Sequence, residues 1–120
     1  MVRDAQNAIA RGYDCLKVKV GKEPEKDIAR LSAIRAAVPK ETLIRIDANQ
    51  AWTPKQAVKI LNKMQELGLD IELVEQPVSA HDFAGLKYVT DRSYVPVLAD
   101  EAVFSPENAQ NEHERIRTIF

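Results

Sequence analysis

The chain has 120 residues, 45% of them apolar and 29% charged, with a formal net charge of −1. That is enough for one domain with a modest core, and it offers no electrostatic basis for holding nucleic acid or a membrane surface. No apolar run reaches bilayer length, the start breaks early into charge with no apolar signal region, and the single cysteine, Cys15, excludes an internal disulfide and fits a small packed thiol in a reducing cytosol.

Val2 to Arg11 places Val2, Ala5 and Ile9 on one helical face, with Gly12 as the stop. Leu16-Lys17-Val18-Lys19-Val20 alternates as a strand does and is closed by Gly21. Pro24 and Glu25 open a helix whose stripe is Ile28, Leu31, Ile34 and Val38, ending at Pro39. Leu43-Ile44-Arg45-Ile46-Asp47 reads as a second strand. Thr53-Pro54-Lys55-Gln56 is a helix start with a Thr cap, Pro at the first helical position and Gln where a capping box needs it. Its stripe is Ala57, Ile60, Leu61, Met64 and Leu67, stopped by Gly68. Ile71-Glu72-Leu73-Val74-Glu75 is a third strand, closed by Gln76-Pro77. Residues 82–90 form a helix with Phe83, Leu86 and Val89 inward; residues 95–100 form a fourth strand; Ser105-Pro106-Glu107 opens a last helix. Strands alternating with helices predict an α/β fold with a parallel sheet of about four strands and covering helices.

Lys19, Asp47, Glu75 and Asp100 each fall at the C-terminal end of a predicted strand, spaced by 28, 28 and 25 residues. Parallel strands bring such ends to one rim, where α/β sites are built. Three carboxylates at one rim repel one another. A hard divalent cation such as Mg²⁺ or Mn²⁺ offsets that repulsion through oxygen ligands. Lys17 and Lys19, two apart, share a strand face, and on a barrel strand Leu16, Val18 and Val20 would face the helices. Crowding and desolvation would favour a neutral lysine able to act as a general base. Taken singly, each feature has a plainer explanation: a solvated strand face for the lysines, a turn or cap for Asp47, a strand end for Glu75. The joint occurrence at matching period is what carries weight.

The pieces Leu16-Lys17-Val18-Lys19-Val20-Gly21, Ile46-Asp47-Ala48-Asn49-Gln50-Ala51-Trp52, Val74-Glu75-Gln76-Pro77-Val78 and Leu98-Ala99-Asp100-Glu101 carry a resemblance. Residues 1–107 resemble part of the (β/α) barrel of the enolase superfamily, in its muconate-lactonizing-enzyme subgroup, and most of all its dipeptide (L-Ala-D/L-Glu) epimerases. The resemblance implies that Asp47, Glu75 and Asp100 hold Mg²⁺, with Mn²⁺ as a substitute. It implies that Lys19 removes the proton α to a substrate carboxylate and that Lys17 tunes that base and contacts the substrate. The metal and Lys17 would then stabilise the enediolate. Asn49 and Glu101 fit a shell that orients ligands or water. Arg45, one layer below Asp47, reads as a buried structural ion pair. Trp52, His81 and His113 read as structural.

The family's capping domain, first barrel strand and strands beyond the fifth have no counterpart in this sequence, and neither does the opposite-face lysine that inversion needs. Residues 108–120 depart from the pattern: Asn108 to Arg115 has one apolar residue, Ala109, and Ile116 to Phe120 would make at most a stub. Two functions follow as expectations. One is a partial isomerase acting on a small carboxylate such as a dipeptide, inactive alone, with muconate cycloisomerase and succinylbenzoate synthase chemistry as alternatives on the same ligands. The other is a non-catalytic half-barrel. In both, two bare sheet edges and an inner face carrying Leu73 and Leu98 predict a homodimer or higher self-association.

Overall fold

Alternation along the strands decides which face of the sheet the helices cover. The structure is a computed structural model that describes residues 2–98 and 116–119. In chain order it contains α1 (Val2–Ala10), β1 (Cys15–Lys19), α2 (Pro24–Ala37), β2 (Leu43–Asp47), α3 (Pro54–Glu66), β3 (Ile71–Glu75), α4 (Phe83–Arg92), β4 (Val97–Leu98) and β5 (Ile116–Ile119). Leu16, Val18, Ile44, Ile46 and Val74 are fully buried and join Leu31, Ile34, Leu61, Met64 and Val89 from the helices in one core. The alternate positions, Lys17, Lys19, Leu43, Arg45 and Leu73, are part-buried or exposed and lie on the other face.

All strands are parallel, in the order β4-β3-β2-β1-β5. The four expected strands are present, and a fifth joins them. β4 is two residues long, but its pairing begins earlier, since Val74 N–H donates to the Pro96 carbonyl at 2.9 Å. The rest of the expected strand, Ala99 and Asp100, and the helix start at Ser105 lie outside the described residues. Ile116–Ile119, expected to be a stub, is instead paired to β1 over four positions, Cys15 with Ile116 through Val18 with Ile119. The edge of β1 offers unpaired backbone groups, and Ile-Arg-Thr-Ile is rich in the β-branched residues that suit a strand. The sheet edge at β1 is therefore covered.

The helix boundaries follow the local chemistry. Thr53 accepts from Gln56 N–H and the Gln56 side chain accepts from Thr53 N–H, closing the capping box at the head of α3. Two expected core positions are solvent-facing. Leu67 is exposed because α3 ends at Glu66; Leu67 caps it, and Leu69 is the buried residue after the turn. Phe83 is 77% exposed because it is the first residue of α4, a turn before the buried stretch that Leu86 and Val89 reach. Cys15 is buried, as its packing role requires.

Arg35, on α2, fastens two loops to the bottom of the sheet. Its guanidinium donates to the carbonyls of Thr42 at 2.8 Å, Leu69 at 2.9 Å and Asp70 at 3.3 Å. Burial lowers its pKa from the ordinary arginine range, and the nearby Asp70 carboxylate opposes that shift. Arg35→Ala leaves those carbonyls without their donor and is expected to lower stability by about 1–3 kcal/mol. Urea unfolding measures this, and Arg35→Lys should recover only part of the loss, since one ammonium cannot reproduce the planar fork.

Candidate active site

Three strand ends lie in one row. Lys19 pairs in register with Asp47, and Asp47 with Glu75. The two carboxylates therefore sit side by side on neighbouring parallel strands, and both are withdrawn from water, at 8% and 4% exposure. Two buried carboxylates so placed need positive charge or donors close by. Asp47 Oδ1 accepts from the Asn49 N–H at 2.9 Å, in a turn where Asn49 and Gln50 both have positive φ. Glu75 Oε2 is met by Lys17 Nζ at 2.7 Å, with side-chain exposures of 14% for the lysine and 5% for the glutamate. Lys17 stands one layer below the row, beside Arg45 in register, so its ammonium reaches up and across β2.

Arg45 forms the next layer down. Its Nε and Nη2 donate to Glu72 Oε1 at 3.0 and 2.8 Å, the structural ion pair expected of it. Glu72 reaches that face because the register of β2 and β3 shifts between Ile44 and Arg45, leaving Glu72 as an extra residue on β3. Nothing in the alternation of Ile71-Glu72-Leu73 discloses such a bulge, so the partner was not identifiable beforehand.

Lys19 is exposed at the rim. It shares with Gly21, Lys22, Asn49 and Ala51 a cavity of about 480 Å³ that is also lined by Asp27 and Arg30 of α2 and does not include Asp47 or Glu75. The backbone there is held by side chains from α2. The Lys19 carbonyl accepts from Arg30 at 2.5 Å, and the buried Asp27 accepts from Gly21 N–H at 2.8 Å and from Arg30 at 3.1 Å. Gly21 has φ +134°, and a Cβ there would lie 2.7 Å from Ala51 Cβ and 2.9 Å from the Ala48 carbonyl oxygen. The turn after β1 thus packs directly on the loop after β2. The loops after β2 and β3 are tied in turn: Gln50 N–H donates to the Gln76 carbonyl at 2.7 Å, and Gln50 Oε1 accepts from Ala80 N–H at 3.0 Å.

Of the residues expected at the site, Lys17, Lys19, Asp47, Asn49 and Glu75 come together at one rim. Asp100 and Glu101 lie outside the described residues, as does His113. Among the described residues no cluster of three His, Cys, Asp or Glu side chains forms. Asp47 and Glu75 nonetheless supply adjacent buried oxygen donors, the kind a hard divalent cation takes. Trp52 is buried beside the head of α3 and His81 is exposed, consistent with structural roles.

The profile of the enolase C-terminal domain-like family matches residues 1–115. The chain belongs to that family. It is 54% identical over 109 residues to the L-Ala-D/L-Glu epimerase of Clostridium acetobutylicum, and 51% identical over 110 residues to that of Bacillus subtilis. In each case about 91% of this chain aligns with 30% of the relative, so the chain spans under a third of the length of these proteins. The structure of the Bacillus subtilis epimerase in a substrate-liganded complex superposes with a TM-score of 0.81 at 45% identity, covering 98% of this chain and 34% of that one. The dipeptide epimerase of Enterococcus faecalis complexed with Mg and the dipeptide L-Leu-L-Tyr superposes with a TM-score of 0.78 at 43% identity, covering 98% and 34%. The parallel sheet and its helices are thus part of a (β/α) barrel of the enolase-superfamily type.

Replacing Lys17 withdraws the ammonium that lies 2.7 Å from the buried Glu75 carboxylate. Lys17→Met is expected to destabilise the fold by about 3 kcal/mol. Adding Glu75→Gln to Lys17→Met should return part of that, because the double variant removes the buried Glu75 charge together with the ammonium beside it. Urea melts of the four members of this cycle measure the coupling.

Proposed function

We propose that this domain carries the metal-binding and proton-abstracting half of a dipeptide epimerase-like isomerase. The observation that carries the reading is the register row Lys19–Asp47–Glu75, which sets one exposed ammonium beside two buried carboxylates at one rim. Relatives with the printed function of L-Ala-D/L-Glu epimerase, and a neighbour complexed with Mg and a dipeptide, support it.

In this reading Asp47 and Glu75 hold Mg²⁺, with Asp100 as the third ligand. Asn49 keeps Asp47 oriented through its N–H, and Glu101 takes a similar part. A bound Mg²⁺ supplies positive charge to the carboxylate of a dipeptide substrate. Lys19 removes the proton on the carbon next to that carboxylate, and the negative charge left behind spreads onto the carboxylate oxygens. Lys17 stays within reach of the same charge from the layer below, where its 2.7 Å contact with Glu75 fixes its position. Lys19 addresses one face of the substrate carbon. Proton removal and return by this one base exchanges the proton without inverting the centre.

Incubating the 120-residue chain with L-Ala-D-Glu and Mg²⁺ in D₂O is expected to incorporate deuterium at the glutamate α-carbon without forming L-Ala-L-Glu. Lys19→Met should lower that exchange about 100-fold or more. Conversion at a rate equal to exchange would show a second base in this chain. Absence of exchange in the folded, Mg²⁺-saturated chain would remove the reading. Mg²⁺ itself is expected to bind weakly, and Asp47→Asn should weaken it further, since a neutral amide replaces a charged oxygen ligand. Titration calorimetry checks both.

A further inference from the structure

The end of β1 is held by more than its strand ladder. The bond from Val20 N–H to the Asp47 carbonyl, 2.9 Å, carries the β1–β2 pairing one residue past Lys19. Two side chains of α2 then grip the main chain on either side of Val20. Arg30 Nη2 donates to the Lys19 carbonyl at 2.5 Å, and Asp27 Oδ2 accepts from Gly21 N–H at 2.8 Å. The two grips are joined, because the same Arg30 nitrogen donates to Asp27 Oδ1 at 3.1 Å. Asp27 is only 5% exposed, and a carboxylate so buried needs donors on its oxygens. A buried ion pair is weak evidence for stability, since apolar residues of similar size often serve as well. What this pair adds is direction: its bonds end on two main-chain groups that flank the rim lysine. Gly21 seats the same turn from the other side, at φ +134° and with no room for a Cβ against Ala51 and the Ala48 carbonyl.

We propose that Asp27 and Arg30 are positioning residues that act through the main chain on Lys19 and fix where its side chain starts toward the substrate, an inference that rests on the reading of Lys19 as the base. Neither touches the reacting atoms. A long side chain magnifies any tilt of its Cα–Cβ bond at the ammonium, and a misplacement of about 1 Å can cost about 100-fold in rate. The carboxylates have other supports, the Asn49 N–H on Asp47 and the Lys17 ammonium on Glu75. The clamp therefore governs proton transfer and leaves the cation ligands in place. Every group in it lies between Lys19 and Arg30, in two elements joined by a short turn.

Arg30→Ala is expected to lower the Lys19-dependent exchange of L-Ala-D-Glu in D₂O by about tenfold or more, with the Kd for Mg²⁺ changed by less than about twofold. Both Arg30 bonds leave from one nitrogen, so a single ammonium can make both, and Arg30→Lys should regain most of the exchange. Arg35→Ala is the control for lost stability alone. It removes a donor to three carbonyls from the other end of α2 and should exchange at the unaltered rate. If Arg30→Ala does not fold, Asp27→Asn takes its place, since it keeps an acceptor for Gly21 N–H but loses the charge beside Arg30. Undiminished exchange in the clamp variant, an equal loss in Arg35→Ala, or no recovery in Arg30→Lys overturns the proposal while leaving Lys19 as the base. Absence of exchange in the unaltered chain instead removes the reading of Lys19, and ¹⁵N relaxation then decides the clamp. The variant should lower the backbone order parameters of residues 19–21 and leave those of residues 45–47 unchanged; unchanged order at 19–21 ends the idea.

Discussion

Everything at the rim depends on the parallel register of β1, β2 and β3. Because Lys19, Asp47 and Glu75 occupy equivalent positions on adjacent strands, they fall in one row separated only by the strand spacing. Such a row concentrates two negative charges where the helices have excluded water from one side of the sheet. The protein meets that cost in two ways. The Asn49 N–H turns toward Asp47, at the expense of a positive φ in a residue that tolerates it. The Lys17 ammonium reaches across β2 to Glu75. A slip of one residue in the β1–β2 pairing would turn both lysines into the core and Leu16 and Val18 out of it, so the hydrophobic pattern and the charged row fix the same register.

The charged row is supported by layers beneath and loops above. Arg45 and Glu72 pair one level down, with both Arg45 hydrogen bonds falling on Glu72 Oε1, so the layer under Asp47 carries opposite charges side by side. Above, Asp27 and Arg30 reach from α2 to hold the backbone of Gly21 and Lys19, so hydrogen bonds fix the main chain from which the flexible Lys19 stem extends. The close approach of Gly21 to Ala48 and Ala51 locks that turn against the loop that follows Asp47. Gln50 then carries the connection on to the loop after β3. Three successive strand-end loops are thus coupled by contacts that need no ligand. This is the kind of rigid support a site requires if its functional groups are to be placed before a substrate arrives.

Much of this was legible in the residues. β2 and β3 run over the expected spans because Leu43-Ile44-Arg45-Ile46-Asp47 and Ile71-Glu72-Leu73-Val74-Glu75 are short apolar runs that end in charge. α3 starts where its capping box places it. What local pattern could not disclose was nonlocal or one residue in size. The bulge at Glu72 changes which face a side chain takes without changing composition. Leu67 fits a helical stripe that α3 leaves one residue too early. Phe83 obeys the period of α4 but lies past the margin of the surface that the period addresses. The pairing of Ile116–Ile119 with β1 joins the two ends of the chain, and neither end carries a signal for the other.

That last pairing bears on how the open face of the sheet can be occupied. The helices bury one face completely, while the other holds Leu43, 46% exposed, together with part-buried Leu73 and Leu98 around the charged layers. Apolar area of this kind is too interrupted by Lys17, Arg45, Glu72 and Glu75 to act as a greasy interface, because any partner covering it would also have to satisfy those charges. The ion pairs Lys17–Glu75 and Arg45–Glu72 remove part of that demand within the chain. They balance charge between strands of the same chain, at the rim and one layer below it. Because parallel register aligns each strand end with its neighbour, the same pairing that balances these charges also holds Asp47 and Glu75 side by side at the rim.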